Sequence, residues 1–397
     1  MEKSAKDCMW HADDRTKDGL LRHPADSPAW KHFDAIHTDF SKDSRNPKLI
    51  ITSDGFNPFR MMNSTYSIWP VIAIPINLPP WFCMKQPNFI LSLLIPGPKS
   101  PGKDIDVYLE PLVNELDSLF EKGVRTYDAF KKEHFQLHVV VHSTISDLPG
   151  LATLAGVATS GEHGCPKCHL LTCSFWLTKG KKTCYMDHCR FLGPNHRYRT
   201  MDKAFFNGKV ESRTAPDPLT GDQVNSLTEN IHTVFGKDPK GKQTIRKRKR
   251  GDPPQIFKRR SIWFKFRYWK DLLQPHNIDA MHIEKNVCDN IMNTLLGIDG
   301  KTKDSINSSQ DLQLLGIRKD LHPVPVGKDT FDLPPAPYSM NPKLRKLFCQ
   351  VLKEARLPYG YVSDIRRNVN VKKKKIIGLK SHDCHILSQK KKKNCFH

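Results

Sequence analysis

Residues Lys48–Asp54, KLIITSD, decide how the chain is read: a short run of β-favouring residues that stops at Asp54-Gly55. Two more apolar runs follow it, WPVIAIPI (Trp69–Ile76) and NFILSLLIPG (Asn88–Gly97). Their shortness and their Pro and Gly punctuation predict strands. The period then changes. In DIDVYLEPLVNELDSLFEKG (Asp104–Gly123), Val107, Leu109, Leu112, Val113, Leu116, Leu119 and Phe120 form an i, i+3, i+4 stripe. A helix is predicted there, with Asp104 as N-cap and Gly123 at its stop. FQLHVVVHSTISD (Phe135–Asp147) reads as the last strand of the unit, and it also ends on an aspartate. The expected order is strand, strand, strand, helix, strand, an α/β unit with carboxylates at the ends of its first and last strands.

The flanking sequence is less regular. Residues 1–47 are polar and read as a lead-in segment, and 48–159 form the first part of the core. Residues 160–275 read as a Cys/His-rich and basic insertion, which regains apolar and aromatic order at SIWFKFRYWKDLL (Ser261–Leu273). Residues 276–322 contain a predicted helix, HIEKNVCDNIMNTLLG (His282–Gly297), with Val287, Ile291, Leu295 and Leu296 as its apolar stripe. Residues 323–397 are rich in Pro and Lys, with a short amphipathic piece at Asn341–Arg356.

Composition narrows the function classes. The 397 residues hold 63 Lys and Arg against 41 Asp and Glu, a formal net charge of +22. Such an excess makes polyanions the expected partners. The longest apolar stretch, Phe89–Pro96, is far shorter than the ~20 residues a membrane helix needs. The first residues, MEKSAKDCMW, carry charge where a secretory signal needs an apolar run. With no such signal, the 11 cysteines are expected as reduced thiols or metal ligands.

Three groups of residues could carry chemistry. Asp54 and Asp147 end the first and last strands of the unit, and carboxylates at the ends of nearby strands can hold two divalent ions about 3.5–4 Å apart for phosphoryl transfer. Hard ions such as Mg²⁺ or Mn²⁺ require oxygen ligands. Each aspartate could equally be a simple strand terminator, since Asp-Gly and Asp-Leu-Pro both break strands. Gly164-Cys165-Pro166-Lys167-Cys168 is half of a tetrahedral Zn²⁺ site. The other ligands could come from His163, His169, Cys173, Cys184, His188 or Cys189 nearby, or from His276 and His282; a redox pair and free buried thiols are the alternatives. The runs Arg246, Lys247, Arg248, Lys249, Arg250 and Lys258, Arg259, Arg260 read as DNA-backbone contacts, as a nuclear import signal or as a solvated loop.

DGFNPF (Asp54–Phe59), LPPWFCMKQ (Leu78–Gln86), LIPGPKSPGKDIDVYLEPL (Leu94–Leu112), GCPKC and HNIDAMHIEKNVCDNI (His276–Ile291) together resemble plant CACTA-type (En/Spm) DNA transposases, in the tnp2-like catalytic region. The resemblance runs from about Trp10 to about His322. It implies an RNase H-like core with a DDE/D triad and Mg²⁺, a mostly helical insertion linked by zinc, and cleavage and strand transfer at transposon ends in the nucleus. It raises Asp54 and Asp147 to metal ligands and suggests Glu284 as the third acid, with Asp289, Asp299 and Asp304 as fallbacks. It also favours Cys165, Cys168, His276 and His282 as one structural Zn²⁺ site. In a regular helix His282 and Glu284 would point about 200° apart. Serving both ions from one side therefore requires His282 to precede the first helical turn. Transposon-end and target DNA, a second transposon-encoded DNA-binding protein and a homo-oligomer are the implied partners. Family members carry further domains, so a truncated chain with impaired activity is expected. The alternative is a catalytically inactive, transposon-derived protein that binds DNA or a transposase.

Overall fold

The computed structural model describes residues 2–59, 66–201, 210–236, 254–328, 330–355 and 364–390, and it places KLIITS in strand β1 (Lys48–Ser53). Strands β2 (Trp69–Pro75) and β3 (Ile90–Ile95) continue from β1 as an antiparallel meander. A separate hairpin, β4 (Val124–Asp128) and β5 (Glu133–Leu137), precedes β6 (Val140–Ser146), which pairs parallel with β1. After a second hairpin, β7 (Ser174–Leu177) and β8 (Lys182–Tyr185), strand β9 (His276–Ile278) joins β6 in parallel. The five-stranded mixed sheet has the order β3-β2-β1-β6-β9, so β1 is central. Leu49 and Ile51 enter the core on one face, and Ile50 packs into a second cluster on the other. Burial on both faces is why this strand reads as a continuous apolar run.

The chain divides into two compact units, Met1–Leu171 with Asp217–Ile278, and Thr172–Pro216 with Asp279–His397. In the first unit, helix α1 (Pro28–Ile36) is capped by the Ser27 hydroxyl, which accepts from the Trp30 N–H at 3.1 Å. The helix sends Trp30 and Phe33 into the two clusters beside the sheet, so the polar segment before β1 contributes to the core. Helix α2 (Ile105–Glu121) buries Ile105, Leu109, Val113 and Leu116, whereas Val107 of the expected stripe is exposed. Asp104 makes no capping bond; its Oδ1 accepts instead from the Gly236 N–H at 2.8 Å. Gly123 ends the segment at φ +67, where a Cβ would stand 2.8 Å from the Leu137 carbonyl.

The expected single strand Phe135–Asp147 is two strands, β5 and β6. His138 lies between them, donating its N–H to Asn46 Oδ1 at 2.9 Å, with its Nδ1 2.8 Å from the Phe120 carbonyl. Helices α3 (Leu148–Ala155) and α4 (Gly221–Thr228) complete the first unit. The aromatic segment after residue 260 fills its centre: Trp263, Phe266, Tyr268 and Trp269 are all at most 1% exposed. Tyr268 OH accepts from the Val141 N–H at 3.0 Å, tying this segment to β6.

The second unit contains α5 (Ala280–Leu295), α6 (Ile306–Leu315), α7 (Pro342–Glu354) and α8 (Ser381–Lys390). Its core gathers Cys288, Met292, Leu296, Cys349, Ile365, Val369, Leu379 and Cys384. The expected α5 stripe holds at Leu296 and is displaced at Val287 and Ile291. Val287 and Ile291 are exposed, and the next residues, Cys288 and Met292, face inward, a rotation of about 100°. Sulfur-bearing side chains make this core, and they were not counted in an aliphatic stripe. Among the described residues, no helix is long and apolar enough to cross a membrane.

Candidate functional site

Strands β1 and β6 bring two aspartates to one end of the sheet. Their parallel register pairs Thr52 with Ile145, and each strand ends one residue before its aspartate. The two aspartates therefore follow the ends of adjacent parallel strands at the same end of the sheet. Asp54 is exposed and accepts from the Gly55 N–H at 2.7 Å. Asp147 is extended and caps α3, accepting from the Gly150 N–H at 2.7 Å. Gly150 is essential to this junction. A Cβ there would lie 3.0 Å from Asp147 Oδ1 and 3.2 Å from the Ser53 carbonyl, so the end of β1 and the Asp147 carboxylate surround one point. The signal was present in Asp147-Leu148-Pro149-Gly150, an N-cap followed by proline in the first turn. The hydroxyls of Ser53 and Ser146, one residue before each aspartate, are buried without a hydrogen-bond partner among the described residues.

Glu284 and His282 lie on α5, in the second unit. Asp279 caps that helix, accepting from the N–H groups of Met281 at 2.9 Å and His282 at 3.2 Å. His282 is thus inside the first turn and does not precede it. The expectation that would have let it share a side with Glu284 fails, and the two side chains diverge by about 200°. Glu284 Oε2 stands 2.6 Å from His385 Nδ1 of α8. Among the fallback acids, Asp289 faces Lys285 at 3.9 Å and Asp304 accepts from the Tyr338 hydroxyl at 2.9 Å.

The Cys165–Cys168 segment is a tight turn in the first unit. The Cys165 carbonyl accepts from the N–H groups of Cys168 at 3.2 Å and His169 at 2.9 Å. Pro166, Lys167 and His169 of this loop border a cavity of about 280 Å³ together with His276 of β9. His276 Nδ1 is 2.7 Å from Thr144 Oγ1, while its Nε2 is buried with no hydrogen-bond partner among the described residues. Burial, reinforced by Arg259, pushes the His276 imidazole down to about 3, so it is neutral. β9 itself escaped the sequence reading because it is a polar three-residue strand whose partner is remote in the chain. Among the described residues, no three His, Cys, Asp or Glu side chains are arranged to hold a metal ion.

The basic runs separate. Arg246, Lys247, Arg248, Lys249 and Arg250 lie outside the described residues. Lys258 is exposed. Arg259 corrects the expectation of a DNA contact: it is 3% exposed, ion-paired with buried Asp106, and donates to the Thr153 carbonyl. Burial pushes the Asp106 carboxyl up to about 6 despite the opposing pull of Arg259. Arg260 is half-buried, donating to Asn225 Oδ1 at 2.8 Å with its guanidinium 4.6 Å from the Phe264 ring centre.

No curated protein and no solved structure matched the chain. The sequence profile described as "Transposase family tnp2" matches residues 18–231, more than half of the 397. That span takes in β1 with Asp54, β6 with Asp147 and the Cys165–Cys168 turn, and on this match the chain belongs to the tnp2 family of transposases.

Proposed function

We propose that this protein cleaves DNA and transfers strands at transposon ends, in the nucleus, with Asp54 and Asp147 as the central carboxylates. The observation that carries the reading is the β1–β6 register, which puts the two aspartates at the same end of adjacent parallel strands. The sheet order, an antiparallel meander followed by two parallel strands, supports an RNase H-like core. The donor set also fits Mg²⁺ or Mn²⁺, because such ions are held by one or two carboxylates and complete their shell with water and substrate phosphates. When bound, the ions would supply charge neutralisation for the attacking and leaving oxygens. The chain's own contribution is positional. The Gly150 N–H fixes the Asp147 rotamer, and the exposed Asp54 stands where a phosphate can approach. Glu284 is the proposed third acid, on α5. Exposed Lys258 and the Arg246–Arg250 run are the proposed contacts to the DNA backbone.

Cys165, Cys168 and His276, all in the first unit, are proposed as ligands of a structural Zn²⁺. His276 supports it: a neutral imidazole whose Nδ1 is fixed by Thr144 and whose Nε2 lacks a partner has the form of a metal-binding histidine.

Nicking and joining of terminal-repeat DNA with Mg²⁺ or Mn²⁺ tests the proposal. Asp54→Asn or Asp147→Asn should lower activity by about a thousandfold, the scale of losing several kcal/mol of charge stabilisation. Equal activity of wild type and Asp54→Asn would remove the assigned site. DNA binding with no cleavage by the wild type would favour the transposon-derived binding protein. In the same preparations about one zinc per chain should be lost in Cys165→Ala; unchanged zinc would remove that ligand set.

A further inference from the structure

The second unit contains a cavity of about 590 Å³ that the catalytic reading does not use. Its size lies within the range of about 300–1,000 Å³ typical of small-ligand sites. Much of its lining is apolar, with Leu177, Met186, Leu312, Leu315 and Ile317 among the residues. Its charged lining is mainly basic. Lys182, Lys303, Arg345 and Arg318, the last paired with Asp320 at 3.3 Å, line it together with Asp304 and Asp311. Both acids are already engaged. Asp311 is buried and accepts from the N–H groups of Lys179 at 2.9 Å and Gly180 at 2.8 Å, and Asp304 accepts from the Tyr338 hydroxyl.

Arg345 is the most informative of these side chains. Its Nε donates to the Met340 carbonyl at 2.8 Å, which fixes the plane of the guanidinium. The group rests against Gly297, a residue at φ +60 where a Cβ would fall 2.5 Å from Nη2 and 2.6 Å from Nη1. Only glycine leaves room for that seat. The two terminal nitrogens have no acceptor among the described residues, although Arg345 is half-buried and lines the cavity. A guanidinium held by its Nε, with its remaining fork open, is suited to bidentate recognition of an anion. The half-buried Ser309 hydroxyl, also without a side-chain partner, lines the same cavity.

We propose that this cavity binds a nucleotide, with the phosphate on Arg345 and the base against apolar lining side chains such as Leu177, Met186 and Leu312. A nucleoside monophosphate combines one flat, weakly polar part with one anionic part, and the cavity lining supplies apolar side chains for the first and basic side chains for the second. The same chemistry is presented by a free nucleotide or by one nucleotide of a single DNA strand. The inference goes beyond the catalytic proposal and does not depend on it.

The test is equilibrium binding to the full chain in buffer without added Mg²⁺ or Mn²⁺, so that no cleavage chemistry enters. The probes are dAMP, deoxyadenosine, inorganic phosphate and an eight-nucleotide single strand. Saturable binding of dAMP is expected, with deoxyadenosine at least about tenfold weaker and inorganic phosphate competing, the scale of losing charge-assisted hydrogen bonds. Arg345→Ala and Arg345→Lys should both weaken dAMP binding by about tenfold or more, because the lysine keeps the charge and loses the fork. Arg345→Lys also keeps most of the aliphatic stem, so it controls for a folding defect in the alanine variant. Stronger binding of the oligonucleotide than of dAMP, lost in the same variants, would identify the ligand as a DNA strand; the reverse preference would identify a free nucleotide. Absence of saturable binding by both dAMP and the oligonucleotide, or wild-type affinity in Arg345→Lys, would overturn the proposal.

Discussion

Arg259 in the first unit and Arg199 in the second are both buried, at 3% and 5% exposure. They are held in opposite ways. Arg259 lies beside a sheet and helices; it donates to one main-chain carbonyl, Thr153, and its charge is met by the Asp106 carboxylate. Arg199 lies among loops and short 3₁₀ turns. Its guanidinium donates to the carbonyls of Arg190 at 2.8 Å, Leu192 at 2.8 Å, Glu211 at 3.1 Å and Arg213 at 2.8 Å. Buried carbonyls without ladder partners need donors from elsewhere, and one arginine supplies them to four residues. The difference teaches how each region is organised. Regular structure satisfies the backbone of the first unit, so a buried charge there needs a counter-charge. In this part of the second unit a side chain performs the backbone's accounting.

The largest expected effect follows from that contrast. Arg259→Met should destabilise the protein by about 3–5 kcal/mol in urea denaturation, because it strands the buried Asp106. Adding Asp106→Leu should restore most of the loss, since an apolar pair of similar volume no longer carries an unpaired charge. Arg199→Met should be destabilising with no second-site equivalent, because its partners are main-chain carbonyls that no substitution removes. If the Arg259→Met, Asp106→Leu double variant is no more stable than Arg259→Met alone, the two arginines do not differ in the way proposed.

The same division explains what could be read in advance. In the first unit, β1, β2, β3 and α2 follow from local patterns, because each is a short apolar run or an amphipathic stripe bounded by turn residues. Asp54 and Asp147 were legible as strand ends for the same reason. Their adjacency was not, because parallel pairing joins segments that no local signal connects. β9 was missed on that account, and the pause at His138 was missed because its cause is Asn46, far away in the chain. Periodicity served poorly in the second unit. α5 turns Cys288 and Met292 inward and leaves Val287 and Ile291 exposed, a choice made by the partners of Cys288 and Met292. Arg259 looked like part of a basic surface run, and only the fold reveals Asp106 behind it.

A second test probes the first unit's dry interior by pH. His142 is buried between Trp30, at 5.7 Å between ring centres, and Phe33, at 6.1 Å. Burial, and then the nearby Lys48, push its imidazole down to about 4, while Asp34 pulls weakly upward. The unfolded chain therefore takes up a proton near the ordinary value of about 6.5, before the folded chain does. Stability from this group is fully present above pH 6.5 and is lost as pH falls through 4, by about 3 kcal/mol. His11, held down to about 4 by the same desolvation, should add a similar slope. His142→Leu should flatten the dependence of unfolding free energy on pH between 6.5 and 4. An unchanged slope would mean that the interior around Trp30 and Phe33 admits charge after all.

The smallest effect separates the two roles of Asp147. As an N-cap, its side chain accepts from the Gly150 N–H, and asparagine can do the same with its amide oxygen. Asp147→Asn should thus change stability by only a few tenths of a kcal/mol, whereas Asp147→Ala should cost about 1 kcal/mol. Metal binding ranks the substitutions differently, because a neutral amide is a poor replacement for a carboxylate on a hard divalent ion. Both variants should then lose cleavage, although only one loses the cap. Full cleavage by Asp147→Asn, with the cap intact, would reduce Asp147 to a strand terminator and leave Asp54 as the one strand-end carboxylate the chemistry could use.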